Sequence, residues 1–330
     1  MHTTSVREPA VAGLFYPKDA RALASTVDSL LGARAEAGSS VRVMVVPHAG
    51  YAYSGLIAAR AFARLSSPPS RAFIIGPSHV ESFPYTSIFN GSAYRTPLGD
   101  VPVDEEAVYG LVTPNHRIKT SPSGHVLNDG GRGEHAIEVE LPFLQRVSPQ
   151  TRVVPIIMGS QSWDACEALG NALRRIVDWS RDVIIASSDL SHFYDDTRAR
   201  ELDGVFCDTL VTLDAAELHA NLESGACEAC GGGPVVASLM ASEGLRSRAC
   251  ELLARGNSGD VSGDYSSVVG YASAVITGTP SGTPIRPHAR CCSGLHAAPL
   301  RRRFAVRPPR RPGMLPFCAK NAVPLSPSCT

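Results

Sequence analysis

The sequence predicts an α/β fold, a single domain with a central, largely parallel or mixed β-sheet flanked by helices. Three observations carry this expectation. Runs of β-branched and apolar residues at 41–46, 72–75, 152–158 and 182–187 read as strands covered on both faces. Segments with helical spacing lie between them. Three of the strands run straight into a loop that carries a histidine: His48 after Pro47, His79 after Gly76-Pro77-Ser78, and His192 after Ser188-Asp189-Leu190-Ser191. Open α/β sheets bind ligands at the carboxyl edge of their strands, so parallel neighbours would bring these imidazoles together.

Taken in order, residues 9–17 are extended and pack across the domain near the site. Residues 19–31 form a helix with Leu23, Val27, Leu30 and Leu31 on one stripe, and Gly32 is placed as its C-cap. The 41–46 strand ends at Pro47, which lacks an N–H donor. A helix resumes at 54–63 and stops at the breaker Ser66-Ser67-Pro68-Pro69-Ser70. The 72–75 strand follows, then strand-and-turn material over 82–99. Val101-Pro102-Val103-Asp104 leads into a helix from Glu105. The polar, glycine-rich stretch 117–133 reads as a mobile loop that gates a site. Ile137, Leu141 and Leu144 suggest a helix over 134–144, kinked or shortened by Pro142. A strand at 152–158, an amphipathic helix at 164–179 and the 182–187 strand come next. Helices over 196–222 precede the glycine-rich turn 226–234, which opens a helix at 235–243. Strands at 249–253 and 268–277 close the domain.

The 330 residues supply a sizeable core. Formal net charge is zero, so no global field favours nucleic acid or acidic lipid, and neither is expected as a partner. No run is long and apolar enough to span a bilayer, and the start lacks the apolar core of a signal peptide. The chain is therefore expected to be cytoplasmic, and its 9 cysteines are read as thiols or ligands, not disulfides. The domain is expected to cover residues 1–278. Residues 279–330 are rich in proline and arginine, lack periodicity and read as a disordered tail.

Four ordered blocks then carry a family resemblance. They are Pro47-His48-Ala49-Gly50-Tyr51, Gly76-Pro77-Ser78-His79, Glu134-His135-Ala136-Ile137-Glu138 and Ser187-Ser188-Asp189-Leu190-Ser191-His192. Together with 7–17 they resemble the Memo family, whose prokaryotic members are called AmmeMemoRadiSam system protein B. The likeness runs from about Arg7 to about Thr277. It implies the fold of the class III extradiol ring-cleavage dioxygenases, which use non-haem iron. It also implies two histidines and a cysteine as metal ligands, at His48, His79 and Cys230. Imidazole and thiolate bind first-row transition ions, and three protein ligands leave a position open for chemistry. The dioxygenases use a carboxylate in place of the thiolate. Iron is expected first, copper second and zinc third. Without the resemblance, Cys230 reads sooner as a small buried hydrophobe than as a ligand. Its setting before a helix suggests a lowered thiol pKa. Cys227 forms a Cys-x-x-Cys with Cys230 and is read as incidental.

The resemblance places Asp189 and His192 in the site, with His192 as general base. Asp189 can also cap its own turn. His135 is a candidate pocket residue, and Glu134 a candidate for a helix N-terminus. Tyr51, Ser78 and Ser188 are candidate substrate-orienting groups. Three functional classes follow: a non-haem metal oxidoreductase acting on a small aromatic or otherwise activated substrate; a metal-dependent hydrolase; or a metal- or peptide-binding module. The system name further implies radical-SAM or AMMECR-type partners.

Overall fold

The computed structural model describes residues 5–32, 40–126 and 133–281. In chain order, β1 (Val6–Arg7) leads to α1 (Ala20–Leu31), β2 (Val41–Val46), α2 (Tyr51–Phe62) and β3 (Arg71–Pro77). Next come β4 (Thr86–Ile88), β5 (Ala93–Thr96), β6 (Gly99–Pro102), α3 (Glu105–Leu111) and β7 (Ile118–Thr120). A 3-10 turn at Glu138–Glu140 runs into α4 (Leu141–Val147), followed by β8 (Arg152–Met158), α5 (Trp163–Ile176) and β9 (Asp182–Ser187). Then come β10 (His192–Tyr194), α6 (Asp196–Thr212), α7 (Ala215–Glu223), α8 (Gly232–Ser242), β11 (Leu245–Asn257), α9 (Gly259–Ser262) and β12 (Val268–Pro280).

The main sheet has the order β10-β12-β2-β9-β3-β8-β4-β7, with β11 also paired to β12. Its centre, β2-β9-β3-β8, is parallel. Antiparallel pairs flank that centre, β12 on β2 and β4 on β8, so the sheet is mixed. A smaller sheet joins β1, β5 and β6. The central strands are buried along almost their whole length, as their unbroken apolar runs require. Helices flank the sheet: α2 packs on β2, β11 and β12, and α8 packs on β2, β3 and β9. Among the described residues no helix is long and apolar enough to cross a membrane.

Local chemistry sets the element ends. Asp19 caps α1 by accepting from the Ala22 N–H, and Leu23, Val27 and Leu31 bury the helix's apolar stripe. Gly32 ends it at φ 55°. The stretch after Glu134 departs from the expected helix. No helix begins there; helical structure starts at the 3-10 turn, and Pro142 sits in the first turn of α4, where a missing N–H is harmless. Glu134 therefore caps no helix. The expected gating loop is also more ordered than its composition suggests. Residues 118–120 form β7, and His125 is fully buried with Nδ1 2.6 Å from the Tyr94 hydroxyl. Residues 127–132 lie outside the described residues, as do 282–330 with most of the expected tail.

Candidate metal centre

The three strands that deliver histidines are immediate neighbours. β9 lies between β2 and β3, parallel to both. Their carboxyl ends therefore open on one edge, and His48 and His79 stand there with ring centroids 5.1 Å apart. Cys230 arrives from the turn before α8. Its sulfur lies 3.3 Å from His48 Nε2. One ligand atom from each of His48, His79 and Cys230 falls within 4.8 Å of the others. Bonds of about 2.0–2.3 Å to a shared ion place ligand pairs about 3.5 Å apart, so the set as it stands is somewhat looser than a loaded site requires. Two imidazoles and a sulfur suit a first-row transition ion and not magnesium or calcium, which take oxygen.

A second donor group, His79, Glu134 and His135, shares one ring with the first. Its carboxylate is already committed. Glu134 accepts from the backbone N–H groups of His79, His135 and Ala136, and Oε1 lies 2.9 Å from His79 Nδ1. This favours the His48, His79 and Cys230 set.

Electrostatics divide the cluster. Burial and the neighbouring His79 hold the His48 pKa down to about 3. Burial and His48 likewise hold His135 down to about 4. For His79 burial acts in the same direction, but the Glu134 carboxylate outweighs it and raises the pKa. Burial alone would raise the Glu134 pKa; its bonds to His79 bring it to about 2. The Cys230 thiol is pushed up by burial, then by the Asp189 charge. This corrects the expectation of a lowered thiol pKa: the adjacent helix contributes up to about 2 kcal/mol, and desolvating a charge costs several.

The other expected residues sort clearly. His135 joins the cluster, its ring 5.4 Å from His48 and 5.0 Å from His79. The Phe15 ring packs on it at 4.8 Å, which brings the 9–17 segment to the site. Asp189 Oδ1 accepts from the His48 N–H at 2.8 Å and so ties the loops after β2 and β9 together. Its Oδ2 lies 4.0 Å from His48 Nε2. Burial raises the Asp189 pKa. His192 lies 2.8 Å, through Nδ1, from the Leu190 carbonyl. A carbonyl cannot donate, so the proton sits on Nδ1 and Nε2 keeps its lone pair. His192 and Cys230 both line a cavity of about 390 Å³, with Gln161, His219, Glu223 and Glu228.

Two of the expected substrate-orienting groups are turned inward. The Tyr51 hydroxyl is buried and donates to the Val139 carbonyl. Ser188 is buried, donates to the Asp189 carbonyl and accepts from the Gly231 N–H. Ser78 donates to the Glu81 carbonyl at the surface and keeps its acceptor lone pairs. Cys227 is a free, buried thiol, not bridged to Cys230.

Sequence reading missed Ser187, Glu138 and Glu140. Ser187 supports His48, and Glu138 anchors the N-terminal segment. Glu140 is fully buried, and its Oε2 lacks a partner among the described residues. The visible signal for the two glutamates is a cluster of acidic residues at 134, 138 and 140 in a largely apolar stretch. Burial raises the Glu140 pKa well above its ordinary value. A raised folded-state pKa means the stability this group contributes is complete below its unfolded pKa, about 4.3, and is lost as pH rises. Glu140→Gln is therefore expected to raise the melting temperature at about pH 8 and to change it little near pH 4. The wild-type slope from this group is at most about 1.4 kcal/mol per pH unit. Melting curves of both proteins across that range check it.

The family model described as Memo-like protein matches residues 7–275. A MEMO1 family protein of Methanobrevibacter smithii is 37% identical over 287 residues, covering 82% of this chain and 99% of the relative. One of Thermoplasma acidophilum is 36% identical over 271 residues, covering 82% and 98%. Among solved structures, an uncharacterized protein of Escherichia coli K12 aligns at 13% identity and TM-score 0.44, over 72% of this chain and 100% of that one.

Proposed function

The chain belongs to the Memo-like family, and from that premise we propose that it is a metal-dependent oxidoreductase of the non-haem type, with His48, His79 and Cys230 as ligands. One observation carries the reading. Two imidazoles and a sulfur converge at the carboxyl edge of parallel strands, with a free basic nitrogen and a cavity beside them. Iron is the first choice of metal, copper the second and zinc the third. When bound, the ion supplies a Lewis-acidic, redox-capable centre.

The protein's own groups then have distinct tasks. His192 Nε2, its lone pair free, takes a proton from a substrate hydroxyl or amine in the cavity. Asp189 keeps the His48 loop in register with the His192 loop. His135, neutral at pH 7 and stacked on His79, offers a hydrogen bond to a group bound beside the pair. Phe15 shields that side from water.

The test is metal analysis of anaerobically purified protein, followed by oxygen uptake of the iron-loaded form with a panel of catechols. His192→Gln is expected to abolish uptake while metal stoichiometry persists. Loss of metal in that variant would make His192 a ligand and remove its role as base. Zinc in the purified protein, with no oxygen uptake, would favour the hydrolase reading.

A further inference from the structure

The protein holds one ring nitrogen of each candidate histidine: His48 Nδ1 lies against Ser187 and His79 Nδ1 against Glu134. We propose that Glu134 and Ser187 are positioning residues of the metal centre: Glu134 fixes His79, and Ser187, backed by Glu140, fixes His48, each with its proton on Nδ1 and its Nε2 lone pair free for the ion. This rests on the reading of His48, His79 and Cys230 as ligands.

The assignment for His48 follows from counting hydrogens. His48 Nδ1 lies 2.8 Å from Ser187 Oγ. A serine hydroxyl has one hydrogen. The Ala136 carbonyl, 2.7 Å away, can only accept and claims it, while Glu140 Oε1 lies 3.0 Å from the same hydroxyl. None is left for His48, so Ser187 accepts and His48 Nδ1 donates. The lone pair then sits on Nε2, the nitrogen 3.3 Å from the Cys230 sulfur.

The assignment for His79 follows from the bonds Glu134 already makes. Its buried Oε1 accepts from the His135 and Ala136 N–H groups and its Oε2 from the His79 N–H. Both oxygens thus already serve as acceptors. His79 Nδ1, 2.9 Å away, is therefore the donor. Nε2 remains for a metal. An acceptor behind an imidazole fixes its tautomer and orientation and strengthens it as a ligand.

Glu134, Ala136 and Glu140 belong to one short stretch, and Ser187 ends the strand between the two histidine strands. This accounts for that stretch remaining non-helical until residue 138: its first residues are committed to two rings on other strands.

The test has two parts. The first is long-range ¹⁵N–¹H correlation of the imidazoles in the full-length, metal-free wild type, followed from about pH 8 upward until His79, whose pKa is raised, is also read as the neutral ring. Both His48 and His79 are expected as the Nδ1–H tautomer; an Nε2–H form at either overturns the assignment. The second is titration with cobalt(II) alone. Wild type is expected to bind one ion with a sulfur-to-cobalt charge-transfer band. Glu134→Gln and Ser187→Ala are each expected to keep the band and weaken binding about 10–100-fold. Variants that bind cobalt as tightly as wild type overturn the positioning role and leave the ligand assignment standing. A wild type that binds no cobalt, or binds it without the band, overturns the ligand assignment and this proposal with it. If a variant does not fold, the wild-type tautomers decide the question without it.

Discussion

Cys230→Ser is expected to abolish the sulfur-to-metal band and to lower transition-metal affinity by more than the 10–100-fold typical of losing an outer partner, about 1.4–2.7 kcal/mol. Serine keeps the size of the side chain but offers a hydroxyl where the ion would meet a soft thiolate. The protein's fold should be indifferent to the change. The sulfur faces His48 Nε2 and the Asp189 N–H, each at 3.3 Å, and the Asp189 carbonyl at 3.6 Å, polar groups that a serine hydroxyl can also face. The pH dependence follows from the raised thiol pKa. The thiol is protonated in the metal-free protein and must lose that proton to bind. His48, held down to about 3, has no proton to lose at neutral pH. Affinity is therefore expected to rise at least about tenfold per pH unit above neutrality. The slope should fall by one proton in Cys230→Ser, His79, whose pKa Glu134 raises, accounting for what remains. Competition with a chelator at several pH values measures both. Equal affinity and slope in the two proteins would remove Cys230 from the ligand set.

Arg7→Met is expected to cost about 3–5 kcal/mol of folding stability, the effect of leaving a buried charge without its partner. Arg7 is 3% exposed and Glu138 0% exposed. The guanidinium donates to the Glu138 carboxylate, to the Glu134 carbonyl and, at 2.9 Å, to the carbonyls of His125 and Glu8. It also lies over the Tyr94 ring at 5.2 Å. Glu138 accepts in addition from the N–H groups of Ala10 and Val11 and from the Tyr16 hydroxyl. One carboxylate thus holds the 7–16 segment against the stretch that carries Glu134 and His135. Methionine keeps the volume and removes every donor. Urea unfolding measures the loss, and a loss below about 1 kcal/mol would show that Glu138 is adequately held by its remaining partners.

The parts of this architecture legible in the sequence are those with local causes. Unbroken apolar runs marked β2, β3, β8 and β9, because strands covered on both faces have no polar alternation. Family resemblance read over 7–277 agrees with the matched span 7–275. The very short strands β1, β7 and β10 escaped notice, since two or three residues carry no period. The helix expected over 134–144, kinked or shortened, starts late, at residue 138, for a tertiary reason. Glu134, Glu138 and Glu140 bond to His79, Arg7 and Ser187, and partners 55, 131 and 47 residues away leave no local trace. Cys230 shows the same limit from the other side. Its place before a helix is legible, but the burial that decides its protonation is set by residues brought from β2 and β9.

X-ray absorption at the metal edge of the loaded, full-length protein tests the central claim most directly. One sulfur scatterer at about 2.3 Å and two imidazole nitrogens at about 2.0–2.1 Å are expected, with the remaining coordination from light solvent atoms. The sulfur shell should disappear in Cys230→Ser, and the imidazole count should fall in His48→Ala. A metal surrounded only by nitrogen and oxygen in the wild type would contradict the account.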